Sequence, residues 1–331
     1  MKPELLRIIF IAVAPACATG IAWPQHTANY PSKPIRVIAQ PPGGSTDLIM
    51  RLYTQKVSEA LGQPMVVDNR GGGGVASVVT LAAVASANPD GYTMGTVVPN
   101  FTFLPALVKD LPFDPLKSFA PVTQLTRTPY AVVINPGLPV KSVKDLISYA
   151  KSQPGTLNFG AGNTGSGTHL ITMYFVTAAG IRAESTYIPY KGVGPATLDV
   201  MAGRIQASVT TIVSSLPLVK SGKLRTLGIT SAQRSRAFPD VPTIAEQGLP
   251  GFAANAFIGW VAPARTPAAI LNKLSMAAAR AAQSAEIADR VRDDGGDAVG
   301  STPQEFSRFI AEEIPRWRAL VKDLGISAAP E

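Results

Sequence analysis

Short apolar runs alternate with helix-period stretches along most of this chain, and that βαβα rhythm predicts an α/β fold with largely parallel sheets. Residues 35–39 read as a strand. Residues 46–61 put Ile49, Leu52, Tyr53, Val57, Ala60 and Leu61 on one helical face, and Gly62 and Pro64 stop the helix. A strand at 65–67, a helix at 74–87, a turn at Asn88-Pro89-Asp90-Gly91 and a strand at 93–98 complete one half. A second series begins with a strand at 130–134, followed by a helix at 143–151 behind a Ser142/Asp145 capping box. It continues with a strand at 156–159, a helix at 168–179 closed by Gly180, and strands near 186–189, 204–209, 224–230 and 257–261. Long helices end the chain at 267–284 and at 303–324, the latter behind a Thr302/Glu305 capping box and kinked or broken near Pro315. The pattern predicts two α/β domains, 33–127 with 250–331 and 128–249, joined by crossings near 126–130 and 248–256. The cleft between them is the expected ligand site.

The N-terminus changes where this chain is expected to work. Lys2 and Arg7 precede an apolar stretch at 8–14, and small residues at 16–18 or 20–22 offer cleavage sites, so 1–22 reads as a secretory signal and 23–32 as a linker. A lipoprotein reading through Cys17 is the alternative, weakened because no leucine leads Ala14-Pro15-Ala16. The mature chain is expected to be periplasmic. With Cys17 in the leader, the folded part carries no disulfide or thiolate metal site, and His169 is its only histidine once His26 falls in the linker. The 331 residues, at about 150 per domain, suit two domains. A composition 46% hydrophobic and 16% charged excludes disorder. Removing the leader lowers the net charge from +8 to +7, with no basic block or nucleic-acid motif, which leaves a mild field favouring anionic small molecules.

Two glycine-rich loops stand between a strand and a helix. In the first, Gln40-Pro41-Pro42-Gly43-Gly44-Ser45-Thr46-Asp47, glycines allow close backbone approach and a helix start offers free N–H groups to an anion. Ser45 suits an N-cap and Asp47 suits the helix dipole. The second, at 160–169, contains G-x-G-x-x-G from Gly160 to Gly165, with Glu184 near the distance of a ribose-binding acid. A dinucleotide fingerprint runs its helix through the motif, whereas here Ser166 and Thr168 are cap-type residues that start a helix later. An exported oxidoreductase-like enzyme holding a dinucleotide on residues 160–165 is the alternative reading. Ser166 and His169 lie one helical turn apart without a nucleophile elbow or a marked acid, so His169 reads as loop bracing or pocket lining. Lys191 after a strand reads as a surface lysine, with pairing to a ligand carboxylate as the other option. No Walker loop and no metal set are present, so no cofactor is expected.

Several motifs occur in a fixed order: Pro41-Pro42-Gly43-Gly44 with Asp47; Asp68-Asn69-Arg70; Asn88-Pro89-Asp90-Gly91-Tyr92-Thr93; Gly165-Ser166 with His169-Leu170; Pro189-Tyr190-Lys191-Gly192 with Pro195-Ala196; Gly222-Lys223-Leu224-Arg225; Pro239-Asp240-Val241-Pro242-Thr243; and Ala262-Pro263 with Thr266-Pro267. This ordered set resembles the Bug-type periplasmic solute receptors of tripartite tricarboxylate transporters over nearly all of the mature chain. The resemblance implies a type II, Venus-flytrap binding protein, not an enzyme, that closes on a small organic carboxylate. It also implies delivery to membrane permease subunits, by a protein expected to be a monomer. By motif it implies a site of Gln40, Pro41, Pro42, Gly43, Gly44, Ser45, Thr46 and Asp47 facing Gly165, Ser166, Thr168 and His169. Asn100, Thr210 and Thr211 join them as loops after strands. Two departures, Gln40 where an aromatic is usual and Gly71 where proline is usual, leave the fold intact and set an amide beside the first loop.

Overall fold

Residues 35–39 alternate Ile, Arg, Val, Ile and Ala, and with β-branched residues at three of five positions they form the central strand of a parallel trio. The computed structural model describes residues 29–326 except 41, 43, 44, 71 and 73, with Ser45 described by its backbone. The expected leader, most of the linker, Cys17, His26, Pro41, Gly43, Gly44 and Gly71 lie outside the described residues.

The first lobe begins with β1 (Ile35–Ala39), α1 (Ser45–Leu61), β2 (Met65–Asn69), a 3-10 turn (Gly74–Ser77), α2 (Val78–Ala85), β3 (Thr93–Val97) and α3 (Asn100–Leu107). A 16-residue strand, β4 (Phe119–Ile134), then carries the chain into the second lobe. That lobe holds α4 (Val143–Ser152), β5 (Leu157–Ala161), α5 (Gly167–Ala178), β6 (Ser185–Pro189), α6 (Val193–Met201), β7 (Ala207–Thr211), α7 (Ile212–Lys220) and β8 (Arg225–Ile229). The return comprises β9 (Asn255–Pro263), α8 (Ala268–Ala282), α9 (Ala285–Asp293), β10 (Asp297–Ala298) and α10 (Pro303–Asp323).

The strands join in the order β2-β1-β3-β9-β4-β7-β5-β6, with β8 and β10 also paired to β4. Within each lobe the neighbours linked by helices run parallel, β1 with β2 and β3, and β5 with β6 and β7. Every pairing of β4 and β9 is antiparallel, so the sheet is mixed where the sequence predicts a largely parallel one. The reason is geometric: β4 and β9 run between the lobes in opposite directions and pair with each other from Phe119↔Pro263 to Pro129↔Asn255.

Four other expectations change. The helix expected over 74–87 divides, because the Asn100 amide donates to the Gly74 carbonyl (2.9 Å) and to Ser77 Oγ (2.6 Å) and so diverts a carbonyl that a continuous helix needs. Helices α3, α6, α7 and α9 arise in segments where no helix is expected, each short, so Asn100 opens a helix rather than lying in a loop. The strand expected over 204–209 sits later, at Ala207–Thr211. Helix α10 runs unbroken through Pro315, held on one face by buried Phe306, Ile310, Ile314, Trp317 and Val321, so packing outweighs the missing amide. Its Thr302/Glu305 capping box forms in full.

Phe306, Ile310 and Ile314 join the apolar core of the first lobe with Phe101, Phe119 and Phe257. One turn later, Trp317 and Val321 join the core of the second lobe, which also takes Phe103 and Leu107 from α3. Helix α10 therefore straps the two cores together behind the cleft.

Candidate functional site

A cleft of about 850 Å³ is lined from both lobes. Gln40, Pro42, Thr46 and Asn100 line it from the first lobe, and Ser166, Thr168 and Thr211 from the second, all seven anticipated from sequence. Thr126, Thr128 and Tyr130 of β4 line it between them, and Ala256, Phe257 and Ile258 of β9 add an apolar flank.

Helix starts dominate the polar surface. Helices α3, α5, α6 and α7 all begin on the cleft, and α1 contributes Thr46 from its first turn. Ser166 caps α5 by accepting the His169 N–H (3.2 Å), but the Gly167 and Thr168 N–H groups have no protein acceptor among the described residues. Helices α3, α6 and α7 start without a side-chain cap. Uncapped N–H groups with an aligned helix dipole favour an anion. Lys191, at the loop before α6, lines the cleft as well, so the lysine that reads as a surface residue stands where it could pair with a carboxylate. Asp294 also lines the cleft; it is ion-paired with Arg290 (3.1 Å), while burial raises its pKa.

Of the other described candidates, Asp47, Gly165, His169 and Thr210 do not line the cleft. The Asp47 carboxylate accepts from Arg51 Nε (3.1 Å) and Asn69 Nδ2 (3.0 Å). Asn69 Nδ2 also donates to the Gln40 carbonyl (2.6 Å), and Arg51 closes the ring on Asn69 Oδ1 (2.9 Å). Asp47 thus fixes the end of β1 from which the first glycine loop departs. Thr210 faces away because adjacent strand residues point to opposite faces. Ala207 and Val209 enter one core and Thr211 continues their face to the cleft, while Thr210 pairs with Ala131 on the other side.

Gly165 is left-handed (φ +77°), and a Cβ there would stand 2.8 Å from Val75. Gly74 (φ +62°) lies against the Thr164 carbonyl, where a Cβ would stand at 3.2 Å. The backbone around Gly74 and the second glycine loop therefore meet beside the cleft, which explains the glycine at 165 without a dinucleotide. The G-x-G-x-x-G motif begins inside β5, where a Cβ on Gly160 would stand 2.4 Å from Ile205, and α5 starts two residues after the motif ends. Neither feature matches a fingerprint that opens a helix, so the dinucleotide alternative is set aside.

His169 is 5% exposed, packs against Tyr187 with ring centroids 4.4 Å apart and planes tilted by 39°, and accepts the Gly165 N–H at Nδ1 (3.1 Å), so a neutral ring carries its proton on Nε2. Burial lowers its pKa from 6.5 to about 4. In the unfolded chain the ring protonates first as pH falls, so the unfolded state binds more protons between pH 6.5 and 4 and stability drops there. The expected loss is about 2 kcal/mol on going from neutral pH to pH 5. His169→Asn, which keeps an acceptor near Gly165 without a titrating ring, is expected to flatten that stretch of the urea-unfolding profile; parallel profiles for parent and variant would remove the ring from the account.

The chain matches the tripartite tricarboxylate transporter family receptor description over residues 49–326. It is 37% identical to the Bordetella pertussis protein BugT over 326 residues, covering 97% of this chain and 98% of BugT. Among solved structures it resembles Rhodopseudomonas palustris Rpa4515 with adipate, at 34% identity and a TM-score of 0.80, covering 90% of this chain and 99% of that one. It also resembles MatC from Rhodopseudomonas palustris with bound malate, at 30% identity and a TM-score of 0.77, over 88% and 100% of the respective chains. The fold is accordingly the two-domain type II architecture of periplasmic binding proteins. On a family match that spans most of its length and a relative matched nearly end to end, this chain belongs to the receptor family of the tripartite tricarboxylate transporters.

Proposed function

We propose that this protein is a non-enzymatic, exported receptor that captures a small organic carboxylate in the cleft and hands it to membrane permease subunits, acting as a monomer. The observation that carries the ligand class is the set of helix starts around one cavity, with the Gly167 and Thr168 N–H groups lacking an acceptor among the described residues and Lys191 on the same lining. The adipate and malate held by two relatives agree with it. Capture proceeds by hinge motion of 128–249 against 33–127 with 250–331, with Thr46 and Asn100 on one side and Ser166 and Thr168 on the other. Micromolar affinity needs about 8 kcal/mol. Five or six charge-assisted hydrogen bonds at roughly 1.5–3 kcal/mol each supply that and leave a margin against the entropy of association. Arginine is not required.

The test is thermal melting of the leader-free protein against mono-, di- and tricarboxylates, with neutral amides and NAD as controls. A carboxylate at 100 times its dissociation constant adds about 2.7 kcal/mol, a rise of roughly 5–10 °C. A rise with amides or NAD and none with any carboxylate would sink the reading.

A further inference from the structure

Strand β4 passes between the lobes along the cleft, and its period of two sets Thr126, Thr128 and Tyr130 on one face, all three lining the cavity. Val132 and Ile134 continue the same face into the second core. A strand through the interior is expected to repeat such aliphatic residues, whereas here three hydroxyl-bearing residues in succession face the cavity, open to a hydrogen-bonding ligand. Thr126 and Tyr130 are each 3% exposed, and none of the three hydroxyls has a partner among the described residues. The backbone around them is satisfied: the Thr126 carbonyl accepts from Gln124 Nε2 (3.3 Å), and the Tyr130 N–H and carbonyl bond to Thr230.

The row has a direction. The Tyr130 hydroxyl abuts the start of α5, where a Cβ on Gly167 would stand 2.6 Å from Oη, so the phenol lies beside the free Gly167 and Thr168 N–H groups. Burial raises its pKa and keeps it a donor. From there the row extends by roughly 13 Å, four strand residues, to Thr126. Phe257 and Ile258 on β9 flank it with apolar surface. An anion anchored at α5 has one side of its body along hydroxyls and the other along hydrocarbon.

We propose that Thr126, Thr128 and Tyr130 form a specificity subsite that reads oxygen substituents along the ligand. The preferred ligands are organic acids bearing a hydroxyl, keto or second carboxylate group, chosen over plain alkyl acids of equal length. This rests on the carboxylate reading above.

Titration calorimetry of the leader-free protein with two matched series tests it: butyrate, succinate and malate; and hexanoate, 6-hydroxyhexanoate and adipate. The parent protein is expected to bind at least one oxygenated acid tenfold or more tighter than its alkyl counterpart. Tyr130→Phe and Thr128→Val each preserve shape and remove one hydroxyl. Each is expected to weaken the oxygenated acid by roughly tenfold per lost hydrogen bond and to leave the alkyl acid within threefold. Ligand-free melting temperatures stay unchanged or rise, since the hydroxyl that is lost has no protein partner among the described residues. Equal affinities in parent and both variants overturn the subsite, as does a preference for alkyl acids or a fall in ligand-free melting that marks the hydroxyls as structural. In those cases the carboxylate reading survives; if the parent binds no acid of either series, both readings fall.

Discussion

Gly167→Val is expected to weaken binding of the best carboxylate at least hundredfold, about 2.7 kcal/mol, while the protein still folds. Gly167 is the first residue of α5 and its φ is not left-handed, so a branched side chain meets no backbone strain there. The obstacle is spatial. A Cβ would stand 2.6 Å from Tyr130 Oη and 3.7 Å from Pro99, and the two added methyls would occupy the space in front of the Gly167 and Thr168 N–H groups. Crowding of this kind costs about 1–3 kcal/mol, partly offset by the better helix propensity of a non-glycine residue. Ligand-free melting is then expected to fall by only a few degrees, while the ligand-induced rise disappears. A variant that binds within threefold of the parent would show that the start of α5 is not where the anion sits.

The parts of the fold that hydrophobic period alone determines were legible. Strand β1 and helices α1, α4, α5 and α8 lie within about two residues of their expected bounds, because one face of each is apolar and its ends carry glycine, proline or a capping hydroxyl. Helices α6 and α7 were not, being nine residues each with Pro195 in the first turn of one and Pro217 inside the other. Tertiary contacts decide such segments. The first eleven residues of β4 were hidden for a related reason: Pro121, Thr123, Gln124, Thr126, Arg127 and Thr128 do not read as a buried strand until β9 pairs with them.

The site divides along the same line. Loop residues between a strand and a helix could be found because glycines and cap residues signal a backbone that approaches a ligand, and Thr46, Ser166 and Thr168 do line the cleft. Thr126, Thr128 and Tyr130 lie mid-strand, where the available signal was polar residues at alternate positions beside an apolar run. Alternation would also have separated Thr211, on the cleft, from Thr210 behind it. His169 was legible as a brace from its place at a helix start, but its acceptor role at Gly165 required the left-handed turn to be seen.

Trp317→Ala is expected to cost about 3–5 kcal/mol, from a residue that does not line the cleft. Trp317 is 1% exposed, its ring lies 4.3 Å from Phe103 and 6.3 Å from Tyr174, and its Nε1 donates to Glu313 (2.7 Å) on the preceding turn. Phe103 belongs to α3 and Tyr174 to α5, and both helices begin on the cleft, so one indole ties the rear of two ligand-facing helix starts, one in each lobe. Alanine leaves a cavity the size of that indole between them. At roughly 2–4 °C per kcal/mol, the melting temperature falls by about 10 °C. Trp317→Phe keeps most of the packing and gives up the Nε1 bond, so it is expected to cost only about 1–2 kcal/mol. Glu313 retains its partner Arg316 (2.7 Å) in both variants, which leaves ring volume as the term that separates them. Equal losses for alanine and phenylalanine would assign the effect to the Glu313 bond, and an alanine variant melting within 3 °C of the parent would mean that α10 does not strap the two cores together.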